Sequence, residues 1–292
     1  METVSDMPST SRNDTGSAGD SGSAGIGQVD EPGGSGHLPP AFDGGDDGRR
    51  AWSRTARVGG ATAAASLLVS TVLYLLDATD ALAPTPQFRA TAAGVESDVA
   101  RWYVAFFARQ HQILWSVALR DILGPVAFIA LTVVALAVLR LVGPARPVAV
   151  LLVVFFAVGG LLHTVSDMLY LGEISYWRQT DWSATPPVPM LITGRASEAL
   201  DFATVYLEAF SYLVLAGGMC CLAWLCRTHS GLRRWLETLA YAEAIGLVVL
   251  IAGIVLQADV LFQVAGLAAG VVLGPALAFL LGRRVATALS GE

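Results

Sequence analysis

Long apolar segments alternate with short polar ones along most of this chain. A helix of about 20 apolar residues is long enough to cross the hydrocarbon core of a bilayer. Six segments meet that requirement, at residues 58–76, 118–140, 148–170, 198–226, 235–257 and 260–282. The expected fold is therefore an all-α integral membrane protein, a six-transmembrane-helix bundle.

The first 48 residues differ from the rest in composition. Gly, Ser, Asp and Pro predominate there, and large apolar side chains are almost absent. Such a segment cannot bury enough apolar surface to offset the conformational entropy lost on ordering. We therefore predict a disordered cytoplasmic tail at residues 1–48 and a membrane domain at residues 49–292.

A processing site is the one uncertainty about the first span. Ala81-Leu82-Ala83 follows the span and is similar to a signal-peptidase site. Pro84 directly after it and the long preceding tail favour a span that is retained. Both alternatives stay open at the level of sequence.

The segment between residues 94 and 119 is apolar but is not a simple span. Its large apolar side chains recur at helical spacing on one face, at Val99, Trp102, Tyr103, Phe106, Phe107, Ile113 and Leu114. The opposite face carries Asp98, Arg101, Arg109 and Gln112. This pattern is typical of helices in the headgroup layer, so we predict an interfacial amphipathic helix before the second span. The alternative is that the segment extends the second span as one helix.

Arginines at the ends of the spans predict the orientation of the bundle, because cytoplasmic loops are enriched in Lys and Arg. One side carries Arg49, Arg50, Arg54, Arg57, Arg140, Arg146, Arg227, Arg233, Arg234, Arg283 and Arg284. The other side carries fewer arginines, and acidic residues dilute them. We therefore predict that both termini are cytoplasmic.

Composition identifies lipid as the main environment. The chain is 54% hydrophobic and 14% charged, whereas soluble domains are about 25% charged. All 18 basic residues are arginine, which together with abundant Ala, Gly and Val suggests a GC-rich bacterial genome and a bacterial inner membrane. A net charge of -6 gives no support for a nucleic-acid partner. The expected partners are the bilayer and a lipid or membrane protein, and the oligomeric state is open.

Four ionisable residues are predicted near the extracytoplasmic ends of their spans: Asp121, His163, Asp167 and Glu208. At 1.5 Å per residue, His163 and Glu208 lie about 24–28 Å from the cytoplasmic ends of their helices. Polar side chains at that depth are expected to face the bundle interior. We predict that the four residues form a polar pocket open to the outside. His163, Asp167 and Glu208 are the candidate ligands if a metal binds there.

Glu243 is the deepest acid in the sequence. It follows Arg234 by nine residues, which places it about 13 Å into the bilayer. Acids at membrane depth are costly and often mark ion or proton pathways. Glu243 is therefore a candidate proton or cation site, and the alternative is a neutral side chain bonded to a hydroxyl group on a neighbouring helix.

Motifs do not decide the function. The chain carries no recognisable catalytic signature, cofactor box or transport motif, so no cofactor is expected. The absence of motifs favours a non-enzymatic envelope component that binds a lipid or protein partner. A small-solute or proton-coupled transporter that uses Glu243 is the second hypothesis. The third is a metal-dependent intramembrane enzyme at the outer face, built on His163, Asp167 and Glu208.

Overall fold

The computed structural model of the protein describes residues 45–92, 94–178 and 181–291. Regular structure in these ranges is helical throughout. The long helices are α1 (Gly45–Ala78), α2 (Val95–Val142), α3 (Pro147–Arg178), α4 (Pro187–Thr228), α5 (Arg234–Val255) and α6 (Asp259–Ser290). Each is long and apolar enough to cross a membrane. The predicted multi-pass helical architecture is thereby confirmed.

The start of α1 differs from the predicted start of the first span. The helix begins at Gly45, well before residue 58. Its first turns carry charged residues and precede the apolar segment that was predicted as the span. Residues 1–44, most of the predicted tail, lie outside the described residues. Disorder of that tail stays a prediction.

Helix α2 covers both the predicted interfacial helix and the second span. It runs over 48 residues, or about 72 Å at 1.5 Å per residue, whereas the hydrocarbon core is about 30 Å thick. Residues 95–123 contain no Gly or Pro that would interrupt a helix. The structure thus contains the single extended helix that was the alternative prediction.

The aromatic face of the first half of α2 packs inside the protein. Tyr103 and Phe107 are buried, together with Ile174, Trp177 and Met190 from α3 and α4. The Phe107 ring stacks on the Trp177 ring with 4.2 Å between their centroids. This second apolar core holds the projecting parts of α2, α3 and α4 together.

Successive helices run antiparallel, so the bundle has two distinct ends. Short connections impose this from α2 onward. For α1 and α2 it follows from the contacts of Gly59 with Val134 and of Asp77 with Arg109. The extended end carries the connections that follow Ala78 and Arg178, where α2, α3 and α4 project. The arginine end carries the connections that follow Val142 and Thr228, near Arg140 and Arg227.

The six helices form a closed ring. Each helix packs against the next one in the chain, and α6 returns to pack along α1. Large apolar side chains on the outward faces remain exposed, as in Leu161 at 63% and Ile245 at 64%. Such a surface is compatible with hydrocarbon rather than water, and the ring encloses the cavity described below.

The contact between α1 and α6 brings two backbones unusually close. Ala56 and Gly60 on α1 face Ala278 and Gly282 on α6, two small residues four positions apart on each helix. A Cβ atom placed on Gly282 would lie 2.6 Å from the Ala56 carbonyl oxygen and 2.7 Å from the Gly60 Cα. Small residues at this spacing let membrane helices approach closely, and this contact closes the ring.

Helix α6 widens into a π-helical segment at Leu267–Leu273. The Gly274 N–H donates to the Ala269 carbonyl, five residues back. Pro275, the next residue, has no N–H to continue an α-helical ladder. π-Helical turns occur frequently at functional sites, and this one borders the cavity.

Candidate functional site: a cavity inside the bundle

A cavity of ≈ 450 Å³ lies inside the ring, and all six helices contribute to its wall. This volume is within the range of about 300–1,000 Å³ that small-molecule sites occupy. On α1 to α4, the polar lining residues lie toward the extended end and the apolar ones toward the arginine end. The cavity therefore has a polar end and an apolar end.

Arg120 is at the centre of the polar end. Its Nε donates to Asp121 Oδ1 at 2.6 Å, and its Nη1 lies 4.0 Å from Asp77 Oδ2. The guanidinium carbon is 5.8 Å from the Tyr74 ring centroid and 5.4 Å from that of Tyr170. Two carboxylates and two aromatic faces thus hold this cation in place.

A second arginine, Arg109, binds Asp77 from outside the cavity. Arg109 Nη2 donates to Asp77 Oδ1 at 2.7 Å, and Arg109 Nε donates to the Ala83 carbonyl at 3.1 Å. Arg109 is only 7% exposed. Its side chain ties the end of α1 to the first half of α2 and accounts for the charge of Asp77.

His163 and Asp167 face each other on α3. His163 Nε2 lies 3.5 Å from Asp167 Oδ2, and His163 Nδ1 lies 3.4 Å from the Ser211 hydroxyl oxygen on α4. The order Ser, His, Asp is that of a nucleophilic triad. However, Ser211 is fully buried, is not part of the cavity wall, and donates its hydroxyl hydrogen to the Glu208 carbonyl at 2.7 Å. The arrangement therefore presents no nucleophile to the cavity.

Glu208 and Tyr212 form the α4 side of the polar end. The Tyr212 hydroxyl donates to Glu208 Oε1, and the Tyr212 ring lies 5.6 Å from the His163 ring, centroid to centroid. Ser166 on α3 donates to the Thr204 carbonyl at 2.9 Å. These contacts fix α3 against α4 where the polar wall is built.

Gly124 leaves room for the polar residues of α3. A Cβ atom at this position would lie 2.8 Å from Asp167 Oδ2 and 3.4 Å from His163 Nε2. The absence of a side chain on α2 therefore lets the carboxylate and the imidazole reach this part of the cavity.

The apolar end is lined by aliphatic and aromatic side chains. Leu131, Phe156, Met219, Leu222, Leu277 and Leu281 belong to this part of the wall and to the main hydrophobic core. The flexible Met219 side chain can adapt to apolar groups of different shape. This end of the cavity is therefore suited to apolar groups.

Glu243 is a polar exception at the apolar end. It lines the cavity, is 5% exposed, and its Oε2 atom has no hydrogen-bond partner among the described residues. Its Oε1 atom faces Gly274, where a Cβ atom would lie only 3.1 Å away. The carboxyl group thus sits between α5 and the end of the π-helical segment of α6.

All five candidate site residues from the sequence line this one cavity. Asp121, His163, Asp167 and Glu208 are at its polar end, and Glu243 is at its apolar end. The sequence analysis treated these as two separate sites. Within the described residues, no group of three or more His, Cys, Asp and Glu side chains is placed to hold a metal ion.

Several cavity residues were missed by sequence analysis. Arg120, Asp77, Tyr74, Tyr170 and Tyr212 line the cavity but were not among the predicted site residues. One sequence feature could have identified Arg120. It lies about 20 residues from Arg140 on the same helix, and a charged side chain at that depth needs a partner. Its partner on α1 is not evident from spacing.

Comparison of the chain with protein-family models, with curated proteins and with solved structures gave no match.

Proposed function

We propose that this chain is a non-enzymatic membrane protein that binds an amphipathic small molecule, a lipid or lipid-like compound, inside the helix bundle. The observation that supports it is the division of one cavity into a polar and an apolar end. A polar group alone would leave the apolar end unfilled, and a purely apolar molecule would leave Arg120 and the carboxylates without a ligand. An amphiphile satisfies both ends at once.

The proposal also defines how the ligand lies. Its polar head contacts the side chains around Arg120, His163 and Glu208, and its tail extends past Phe156 toward Leu277. The head then lies toward the extended end of the bundle. The tail lies toward the arginine end.

Filling the apolar end should weaken binding. Leu247 on α5 lines the cavity and is 7% exposed, whereas Ile245, two positions away, is 64% exposed on the outer face. We expect Leu247→Trp to weaken binding of ten-carbon amphiphiles by about tenfold or more, because overpacking a filled site costs about 1–3 kcal/mol. Native mass spectrometry of delipidated protein measures the bound fraction.

Ile245→Trp is the matched control, since it adds the same ring to the same helix outside the cavity. It should bind the amphiphile as the wild type does. Equal binding by wild type and both variants would place the amphiphile outside the cavity and contradict the proposal.

The proposed membrane is the bacterial inner membrane, with both termini in the cytoplasm. This rests on the arginine-only basic composition and on the arginines that cluster at one end of the bundle. A periplasmic phosphatase reporter is expected to be active when fused after Ser183 and inactive after Pro144 or His229. Activity after Pro144 would reverse the orientation.

Proton-coupled transport of the same ligand is a second candidate function. It is favoured by the position of Glu243, whose buried carboxyl group lines the ligand cavity beside a π-helical turn. In proteoliposomes with a pH gradient, Glu243→Gln should then stop uptake while leaving equilibrium binding intact. Gradient-driven uptake that survives this substitution would exclude the candidate.

A further inference from the structure

The polar end of the cavity contains more acidic than basic groups. Among the described residues that line it, Arg120 faces five carboxylates: Asp77, Asp121, Asp167, Asp201 and Glu208. Arg109 and Arg120 together account for Asp77 and Asp121, at 2.7 and 2.6 Å. The remaining carboxylates, on α3 and α4, are not paired with either arginine.

Asp167 and Glu208 have no arginine within ion-pair distance in the described part of the chain. Asp167 has only His163 at 3.5 Å, and Glu208 accepts a hydrogen bond from the Tyr212 hydroxyl. Both side chains are half-buried, and a charged carboxylate at membrane depth needs a partner that compensates its charge. The described residues supply no such cation here.

Unsatisfied carboxyl oxygens are a second, independent feature of the cavity wall. Asp121 is 2% exposed, and in the described part of the chain its Oδ2 atom has no hydrogen-bond partner, although Oδ1 is bonded to Arg120. Glu243 at the apolar end has an equally unpartnered Oε2 atom. Buried polar atoms are satisfied in the great majority of cases, so the Asp121 Oδ2 atom at the polar end indicates a hydrogen-bond donor or a positive charge that the ligand provides.

Aromatic rings lie near the carboxylates of Asp167 and Glu208. The His163 ring lies 4.7 Å from the Phe128 ring and 5.6 Å from the Tyr212 ring, centroid to centroid, and both aromatic residues line the cavity. Aromatic faces attract ammonium groups, most strongly where water is excluded. Carboxylates and rings together are the surroundings that an organic cation prefers.

An anionic head fits this end poorly. Arg120 is already bonded to Asp121, lies near Asp77 and is flanked by Tyr74 and Tyr170. A phosphate or carboxylate that approached it would meet the surrounding acidic groups. Like charges repel strongly when the medium around them has a low dielectric constant.

We infer that the ligand is a cationic amphiphile, an amine or quaternary ammonium compound with an apolar tail, whose head lies between Asp167 on α3 and Glu208 on α4. This inference rests on the proposed function and specifies the class of ligand for the same cavity.

A series of amphiphiles with one tail and different heads tests the inference on the wild-type protein. The probes are n-decyltrimethylammonium, glycerol monodecanoate, n-decylphosphocholine and n-decyl phosphate, and native mass spectrometry measures the bound fraction of each. We expect the trimethylammonium compound to bind about tenfold or more tightly than the neutral ester and the phosphate to bind most weakly. Glu208→Gln should remove most of that preference, so that the trimethylammonium compound and the ester bind about equally. Glu198→Gln, which removes the same charge from α4 outside the cavity, should leave the preference intact.

The outcomes distinguish failure of the inference about a cationic ligand from failure of the proposed function. Equal binding of the cationic and neutral compounds would overturn the inference and leave the proposed function standing. Tightest binding of the phosphate or of the phosphocholine would also overturn it and would assign the head to Arg120. Failure of all four compounds to bind would overturn the proposed function itself.

Discussion

Replacement of Gly282 by alanine should destabilise the folded protein more than any other single methyl group added to α6. The new Cβ atom would lie 2.6 Å from the Ala56 carbonyl oxygen and 2.7 Å from the Gly60 Cα. Both are backbone atoms, so no side-chain rotation relieves the clash and the two helices must separate. We expect a loss of about 2 kcal/mol, because overpacking costs about 1–3 kcal/mol and disrupts a small-residue contact. Thermal unfolding in detergent measures it.

Gly266→Ala is the matched control on the same helix. Gly266 is buried as well, but a Cβ atom placed there meets no atom within 4 Å. Alanine is favoured over glycine in a helix by about 1 kcal/mol, so this variant should be as stable as the wild type or more so. A loss in Gly266→Ala equal to that in Gly282→Ala would show that the α1–α6 contact is not the cause.

Replacement of Arg120 by methionine should produce the second large effect. The substitution keeps an unbranched side chain but removes the cation bonded to Asp121, whose side chain is 2% exposed. Breaking a buried ion pair by removing one partner costs about 3–5 kcal/mol, since the other charge remains buried. We expect a strong decrease in the thermal unfolding midpoint. Addition of Asp121→Asn to the same chain should restore much of the loss, because the unpaired charge is then gone.

Arg101 provides the comparison for a pair that water reaches. It lies on the same helix and pairs with Asp98, but its side chain is 59% exposed. The Asp98 side chain is itself only 1% exposed, but it also accepts hydrogen bonds from the Thr91 N–H and hydroxyl. An ion pair whose arginine lies in water contributes about 0–1 kcal/mol, so Arg101→Met should change stability little. If Arg120→Met were no more harmful than Arg101→Met, Arg120 would not be an essential part of the polar end.

Most of the helical architecture follows from the pattern of apolar residues. Six segments of sufficient length were predicted, and six helices that could span a membrane are present. The helix ends were harder to predict, because charged residues in Gly45–Val58 and in Val95–Arg120 are compatible with a helix that leaves the bilayer. The burial of Tyr103 and Phe107 against Trp177 could not be seen in one segment alone, since an apolar face is equally suited to lipid and to a neighbouring helix.

Individual residues of the candidate site could be predicted from the sequence. That they line one cavity could not. Depth along the helix singled out Asp121, His163 and Glu208, because polar groups at membrane depth are expected to face inward. Depth also separated them from Glu243, which lies on the opposite half of its helix. Only the ring of six helices shows that all of them line one continuous cavity. The role of Arg120 depends on Asp77 of another helix, a contact that no spacing rule gives.

Photolabelling of the wild-type protein tests the central claim most directly. The probe is a monodecanoyl glycerol with a diazirine at the end of its tail, and peptide mass spectrometry locates the labelled residues. If the amphiphile occupies the cavity as proposed, labels fall on Leu222 and Leu277 of the apolar end, and an excess of unlabelled ester removes them. Labels confined to lipid-facing positions such as Leu161 and Ile245, and insensitive to the competitor, would contradict the account.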